Sequence, residues 1–146
     1  MTQIIAIVNN KGGVGKTTTA INLATAMAST GKEVLIIDLD PQGNASTGLG
    51  VDPAARKNSS YDLLIREASL EEVTAVTPIP GLSVVPSNMD LSGAEIELVD
   101  FDNREYRLKV ALEKASMTYD YVLIDCPPAL GFLTVNALTA ANRVLV

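Results

Sequence analysis

Histidine and tryptophan are absent from this 146-residue chain, and cysteine occurs once, at Cys126. A lone thiol closes no intrachain disulfide, and without histidine it completes no zinc cluster and supplies no imidazole acid–base chemistry. A reducing, cytoplasmic compartment is the expectation. Aromatics are scarce, with four Tyr and two Phe, so little surface exists on which nucleic-acid bases could stack. Basic residues are outnumbered, 11 Lys+Arg against 17 Asp+Glu, and the net charge of -6 argues against a broad non-specific nucleic-acid surface built from these residues alone. Apolar runs stop short of the roughly 18 residues a membrane span needs, and Met1 to Val8 lacks a basic leader pattern. Neither a signal peptide nor a membrane association is expected.

What is present is apolar material, 47% of the chain, enough for one domain of ordinary size spanning 1–146. Ile4 to Val8, Val34 to Ile37, Leu82 to Val85, Tyr121 to Ile124 and Val144 to Val146 read as buried strands, too continuous for half-exposed antiparallel ones. Between the first two, Ala20, Leu23, Ala24 and Met27 repeat at helical spacing up to a stop at Gly31. Leu108, Ala111, Leu112 and Ala115 do the same within 104–117. Ser69 with Glu72, and Ser92 with Glu95, have capping-box spacing, which predicts short helices beginning near Leu70 and Gly93. Strand and helix alternate, so the expected fold is α/β, a doubly wound and mainly parallel sheet with helices on both faces. Pro41 to Ser60 lacks a clear period and is expected to be a surface loop carrying one short helical turn. The chain ends inside what reads as a buried strand, so it is expected to be the N-terminal part of a longer domain.

Asn9-Asn10-Lys11-Gly12-Gly13-Val14-Gly15-Lys16-Thr17-Thr18-Thr19 lies between the first strand and the first helix. The strict Gly-x-x-x-x-Gly-Lys-Thr pattern asks for Gly at position 10, where this chain has Asn. Three glycines still let successive backbone N–H groups turn toward one point, where the helix terminus adds about half a positive charge. That point suits phosphate. Lys11, Gly12, Gly13, Val14, Gly15, Lys16, Thr17 and Thr18 are the candidate nucleotide cradle, with Lys16 reaching the β- and γ-phosphates and the Thr17 hydroxyl offered to Mg²⁺.

Two strands end in acids: Ile36-Ile37-Asp38-Leu39-Asp40-Pro41, and Ile124-Asp125-Cys126-Pro127-Pro128. An unpaired buried carboxylate costs several kcal/mol, so acids at two core strand ends imply that cations meet them there. Asp125 reads as the Walker B acid that holds the metal or its water. Asp40 suits orienting the attacking water or accepting its proton, and Asp38 supports the metal shell or pairs with a lysine. Cys126, Tyr119 and Tyr121 read as packing residues.

These segments resemble the deviant Walker A ATPases of the P-loop NTPase class, and within them the ParA/Soj family of chromosome- and plasmid-partitioning proteins. Lys11-Gly-Gly-Val-Gly-Lys-Thr-Thr-Thr is similar to the family's phosphate loop, Asp38-Leu-Asp-Pro-Gln-Gly-Asn44 to its second motif, and Tyr121-Val-Leu-Ile-Asp-Cys-Pro-Pro128 to its Walker B segment. Val85 to Glu97 is also family-like. The resemblance implies ATP with Mg²⁺, hydrolysis to ADP and phosphate, and an ATP-dependent sandwich homodimer in which Lys11 reaches the partner's phosphates. It further implies a ParB-like stimulating partner, nucleoid association when ATP is bound, and non-specific DNA binding through a C-terminal region that this chain does not contain. A membrane-cycling positioning ATPase of the MinD type is the alternative, though the Asp38 to Asn44 segment is more ParA-like. A nitrogenase-type iron protein would need two thiolates per subunit.

Overall fold

The computed structural model describes residues 2–8, 14–52, 54 and 58–146. Its strands are β1 (Gln3–Ile7), β2 (Val34–Asp38), β3 (Ala75–Val76), β4 (Leu82–Val85), β5 (Tyr121–Asp125) and β6 (Arg143–Leu145). They form one sheet in the order β3-β4-β2-β5-β1-β6, parallel throughout except where β3 meets β4. The helices are α1 (Val14–Ser29), α2 (Asn44–Gly48), α3 (Ser60–Ile65), α4 (Leu70–Val73), α5 (Ala94–Glu97), α6 (Arg107–Lys114) and α7 (Phe132–Ala140). Short 3-10 turns at Met89–Gly93 and Leu98–Asp100 flank α5.

Alternate residues of each inner strand feed two separate cores, as the two-residue period of a strand requires. Val34, Ile36, Leu82, Val84 and Leu123 face the alanine stripe Ala20, Ala24 and Ala28 of α1. Leu35, Ile37, Val85, Val122 and Ile124 face the leucines of α3, α6 and α7. All five residues of β2 are buried, as befits a central parallel strand covered on both faces. The doubly wound sheet expected from the sequence is therefore present.

Gly31 has φ 87, and its N–H and that of Thr30 close the end of α1 onto the carbonyls of Ala28 and Met27. The left-handed turn there admits glycine without strain. The capping box at Ser69 and Glu72 forms as expected.

Four details differ from expectation. The helix within 104–117 is confined to Arg107–Lys114, because the Arg104 carbonyl is taken by Asn136 Nδ2 and the Leu108 N–H by Asn136 Oδ1. The 41–60 segment is not wholly surface: α2 packs on α1 with Ala45, Ser46 and Leu49 buried, and a Cβ at Gly48 would lie 2.6 Å from Ile21 Cδ1. Glu95 does not cap its own helix; α5 starts at Ala94 with no side-chain cap, and Glu95 reaches α7 instead. The last strand is exposed at Arg143, Val144 and Leu145, since β6 sits at the sheet edge beside β1.

Candidate functional site

The strand order inserts β5 between β1 and β2, although β5 comes last of the three in the chain. At the carboxyl ends, Asp125 is in register with Ile7 on one side and with Asp38 on the other. The ladder continues past the strands, Cys126 N donating to Ile7 O at 3.2 Å and Leu39 N to Asp125 O at 2.9 Å. In open α/β sheets such carboxyl ends are where ligands bind.

Two of the predicted residues meet here directly. Thr17, in the first turn of α1, donates its hydroxyl to Asp125 Oδ2 at 3.2 Å, and both side chains are buried. Thr18 is exposed on the same turn. Val14, Gly15 and Lys16 open α1, whose N-terminus carries the positive end of its dipole. Lys11, Gly12 and Gly13 lie outside the described residues.

Asp38 is fully buried, and its carboxylate is enclosed by donors: Asp40 N to Oδ1 at 3.1 Å, and Ser46 N and Oγ to Oδ2 at 3.0 and 2.6 Å. Burial pushes its carboxyl up to about 6; the Ser46 bonds oppose that shift and the nearby Asp125 charge adds to it. Asp40 lies two residues beyond β2, with Oδ1 accepting from Gln42 N at 3.0 Å. Its carbonyl accepts from Ser87 Oγ and from Gly43 N.

Among the described residues no group of three or more His, Cys, Asp or Glu side chains could hold a metal ion. A cation here would draw on the Thr17 hydroxyl and the Asp125 carboxylate, both hard oxygen donors, with water and phosphate filling its other positions. That donor set fits magnesium. Cys126 is buried in the core beside the site, as a small packing residue would be.

A family model described as an AAA domain matches residues 2–146. The chromosome partitioning protein ParA of Caulobacter vibrioides is 56% identical over 146 residues, covering 99% of this chain and 55% of that protein. The sporulation initiation inhibitor protein Soj of Bacillus subtilis is 51% identical, covering 100% of this chain and 58% of that protein. The chain belongs to the AAA domain family, in its ParA/Soj group. It thus spans little more than half the length of these curated relatives. A crystal structure of cobyrinic acid a,c-diamide synthase from Mycobacterium smegmatis, with bound ADP and magnesium, superposes with a TM-score of 0.93 at 44% identity. That superposition covers 99% of this chain and 58% of the other.

Sequence reasoning missed several residues that hold this site together. Ser46, Ser60 and Ser87 are fully buried and bond to the Asp38–Asp40 turn. Serine in a polar loop carries no signal of burial, so nothing in the pattern marked them. Glu95 accepts from Phe132 N and Leu133 N at 2.6 and 3.1 Å, placing a carboxylate on the N-terminus of α7, just after the Asp125 loop. Its Ser-x-x-Glu spacing was visible but pointed to the wrong helix.

Proposed function

We propose that residues 1–146 form a single P-loop ATPase domain, the N-terminal portion of a longer partitioning protein that binds Mg²⁺-ATP and hydrolyses it to ADP and phosphate. The observation that carries this reading is the buried bond from Thr17 of α1 to Asp125 of β5, which joins the helix following the glycine-rich segment to the strand-end acid. A relative named for chromosome partitioning, at 56% identity, supports the biological role over the diamide synthesis named for the structural neighbour at 44%.

In this reading, backbone N–H groups of Lys11 to Thr18 cradle the phosphates, and Lys16 neutralises charge on the β- and γ-oxygens. Thr17 and Asp125 hold the metal, Asp125 directly or through water. Asp38 supports that shell by fixing Ser46 and the Asp40 N–H. Asp40 orients the attacking water or takes its proton. Bound magnesium supplies charge stabilisation to the transferring phosphoryl group. Lys11 acts across an ATP-dependent sandwich homodimer. Such dimers bind DNA non-specifically through the C-terminal region, associate with the nucleoid in the cytoplasm, and release DNA when a ParB-like partner stimulates turnover.

The test is calorimetric titration with Mg²⁺-ATP. Wild-type protein is expected to bind, and Lys16→Ala to lose affinity at least about a hundredfold, the scale on which one desolvated charge pair contributes. Equal affinity of the two proteins would sink the proposal. ATP-dependent sedimentation with lipid vesicles, without DNA retention, would favour the MinD-type alternative.

A further inference from the structure

The backbone that presents Asp40 is held far more firmly than hydrogen-bond satisfaction demands. Ser60 Oγ donates to Asp38 O at 2.7 Å, Leu39 N to Asp125 O at 2.9 Å, Asp40 N to Asp38 Oδ1 at 3.1 Å, and Ser87 Oγ to Asp40 O at 2.5 Å. Ser46 ties the set together, its hydroxyl donating to Asp38 Oδ2 at 2.6 Å and accepting from Ser87 N at 3.1 Å. The three serines come from three separate segments: α2, the stretch after β4, and the start of α3. All are fully buried.

The Asp40 carbonyl already accepts from Gly43 N at 2.9 Å, so the Ser87 hydroxyl is a second bond on an acceptor that has one. Its effect is directional. With its flanking carbonyls and N–H groups fixed, the Cα–Cβ direction of Asp40 is set, and Gln42 N holds one of its carboxylate oxygens at 3.0 Å. Positioned groups lose about a hundredfold in rate when displaced by about 1 Å.

We propose that Ser87 and Ser46 are positioning residues for Asp40: Ser87 through the Asp40 carbonyl, and Ser46 by joining Ser87 to Asp38. This rests on the reading of Asp40 as the group that handles the attacking water. Neither serine touches nucleotide in this assignment. Their loss lowers turnover without weakening nucleotide binding.

The test uses the full chain with Ser87→Ala, Ser87→Cys, Asp40→Ala and the Ser87→Ala/Asp40→Ala pair. Ser87→Ala is expected to lower kcat about 10- to 100-fold while KM and nucleotide affinity stay within about twofold. Ser87→Cys, which keeps the branching with a larger atom and a weaker donor, is expected to fall between it and wild type. In nucleotide-free protein, hydrogen exchange at the Asp40 and Gly43 amides is expected to quicken about tenfold in Ser87→Ala, a readout independent of turnover. In the Asp40→Ala background, adding Ser87→Ala is expected to change kcat by less than about twofold, since the two act through one group. A wild-type kcat for Ser87→Ala beside an impaired Asp40→Ala overturns the positioning role alone, as does an equal loss in both backgrounds. Normal turnover by Asp40→Ala overturns the Asp40 reading itself and the positioning role with it.

Discussion

Around the carboxyl ends of β2 and β5 the buried groups are polar, Thr17, Asp38, Asp40, Ser46, Ser87 and Asp125, whereas under α3, α6 and α7 they are Leu63, Leu64, Leu108, Leu112 and Leu133. The leucine layer gains stability from every methylene removed from water, without directional demands. The polar cluster must match each donor to an acceptor, and among the described residues no buried side-chain nitrogen or oxygen lacks a partner. Matching limits the loss without erasing it, because Asp38 and Asp125 bring two carboxylates to adjacent register positions. One region supplies free energy to the fold, and the other draws on it to hold charge at the carboxyl edge of the sheet.

That contrast can be broken from either side. Leu108→Ala removes a fully buried side chain from the leucine layer and is expected to cost about 2–5 kcal/mol of unfolding free energy at any pH, leaving nucleotide affinity unchanged. Denaturant titration checks the first part; a loss confined to high pH would contradict it. The polar cluster should respond to pH instead. Because Asp38 is raised from 3.8 to about 6 in the folded state, its favourable contribution is complete only well below 3.8 and is lost as pH rises through 6. Asn at this position does not titrate. The stability of wild type relative to Asp38→Asn is therefore expected to fall by about 2.4 kcal/mol between pH 4 and pH 7, a little over half of it above pH 5. A difference that stays constant across that range would show that Asp38 is not held at a cost.

The smallest expected effect lies between the two regions. Glu95→Gln removes a charge that accepts two N–H bonds at the start of α7, and is expected to cost about 1 kcal/mol, less in high salt. Thermal melts at two ionic strengths measure it. A loss unaffected by salt would assign the effect to packing against Gly131 rather than to charge.

Elements with a strong local signal were legible in advance. Five strands announced themselves as continuous apolar runs, and α1 by its alanine stripe and Gly31. β3 was not, since Ala75 and Val76 are two residues paired antiparallel at an edge, too short for a period. α7 is apolar on all sides, so it has no face to detect. The Ser59–Asp62 capping box that starts α3 was overlooked because aspartate replaces the usual glutamate. At the site, what was legible was placement: acids at the carboxyl ends of β2 and β5, with Thr17 beside one of them. The serines that fix them were not, because their burial comes from strands and helices far apart in sequence, and the same Ser-x-x-Glu spacing served α4 locally at Ser69 but α7 through tertiary contact at Glu95.

The placement of β5 has a consequence for synthesis as well as for chemistry. Among the described residues β1 pairs with β5 and β6 alone, so this strand has no neighbour in the sheet until residues beyond 120 have been synthesised. Until then β2 and β4 can associate, but the gap between β2 and β1 stays open and the Thr17 hydroxyl has no Asp125 to meet. A nascent chain halted before Tyr121 would hold most of the residues of the candidate site and none of its closure, an exposed apolar intermediate of the kind that folding helpers bind.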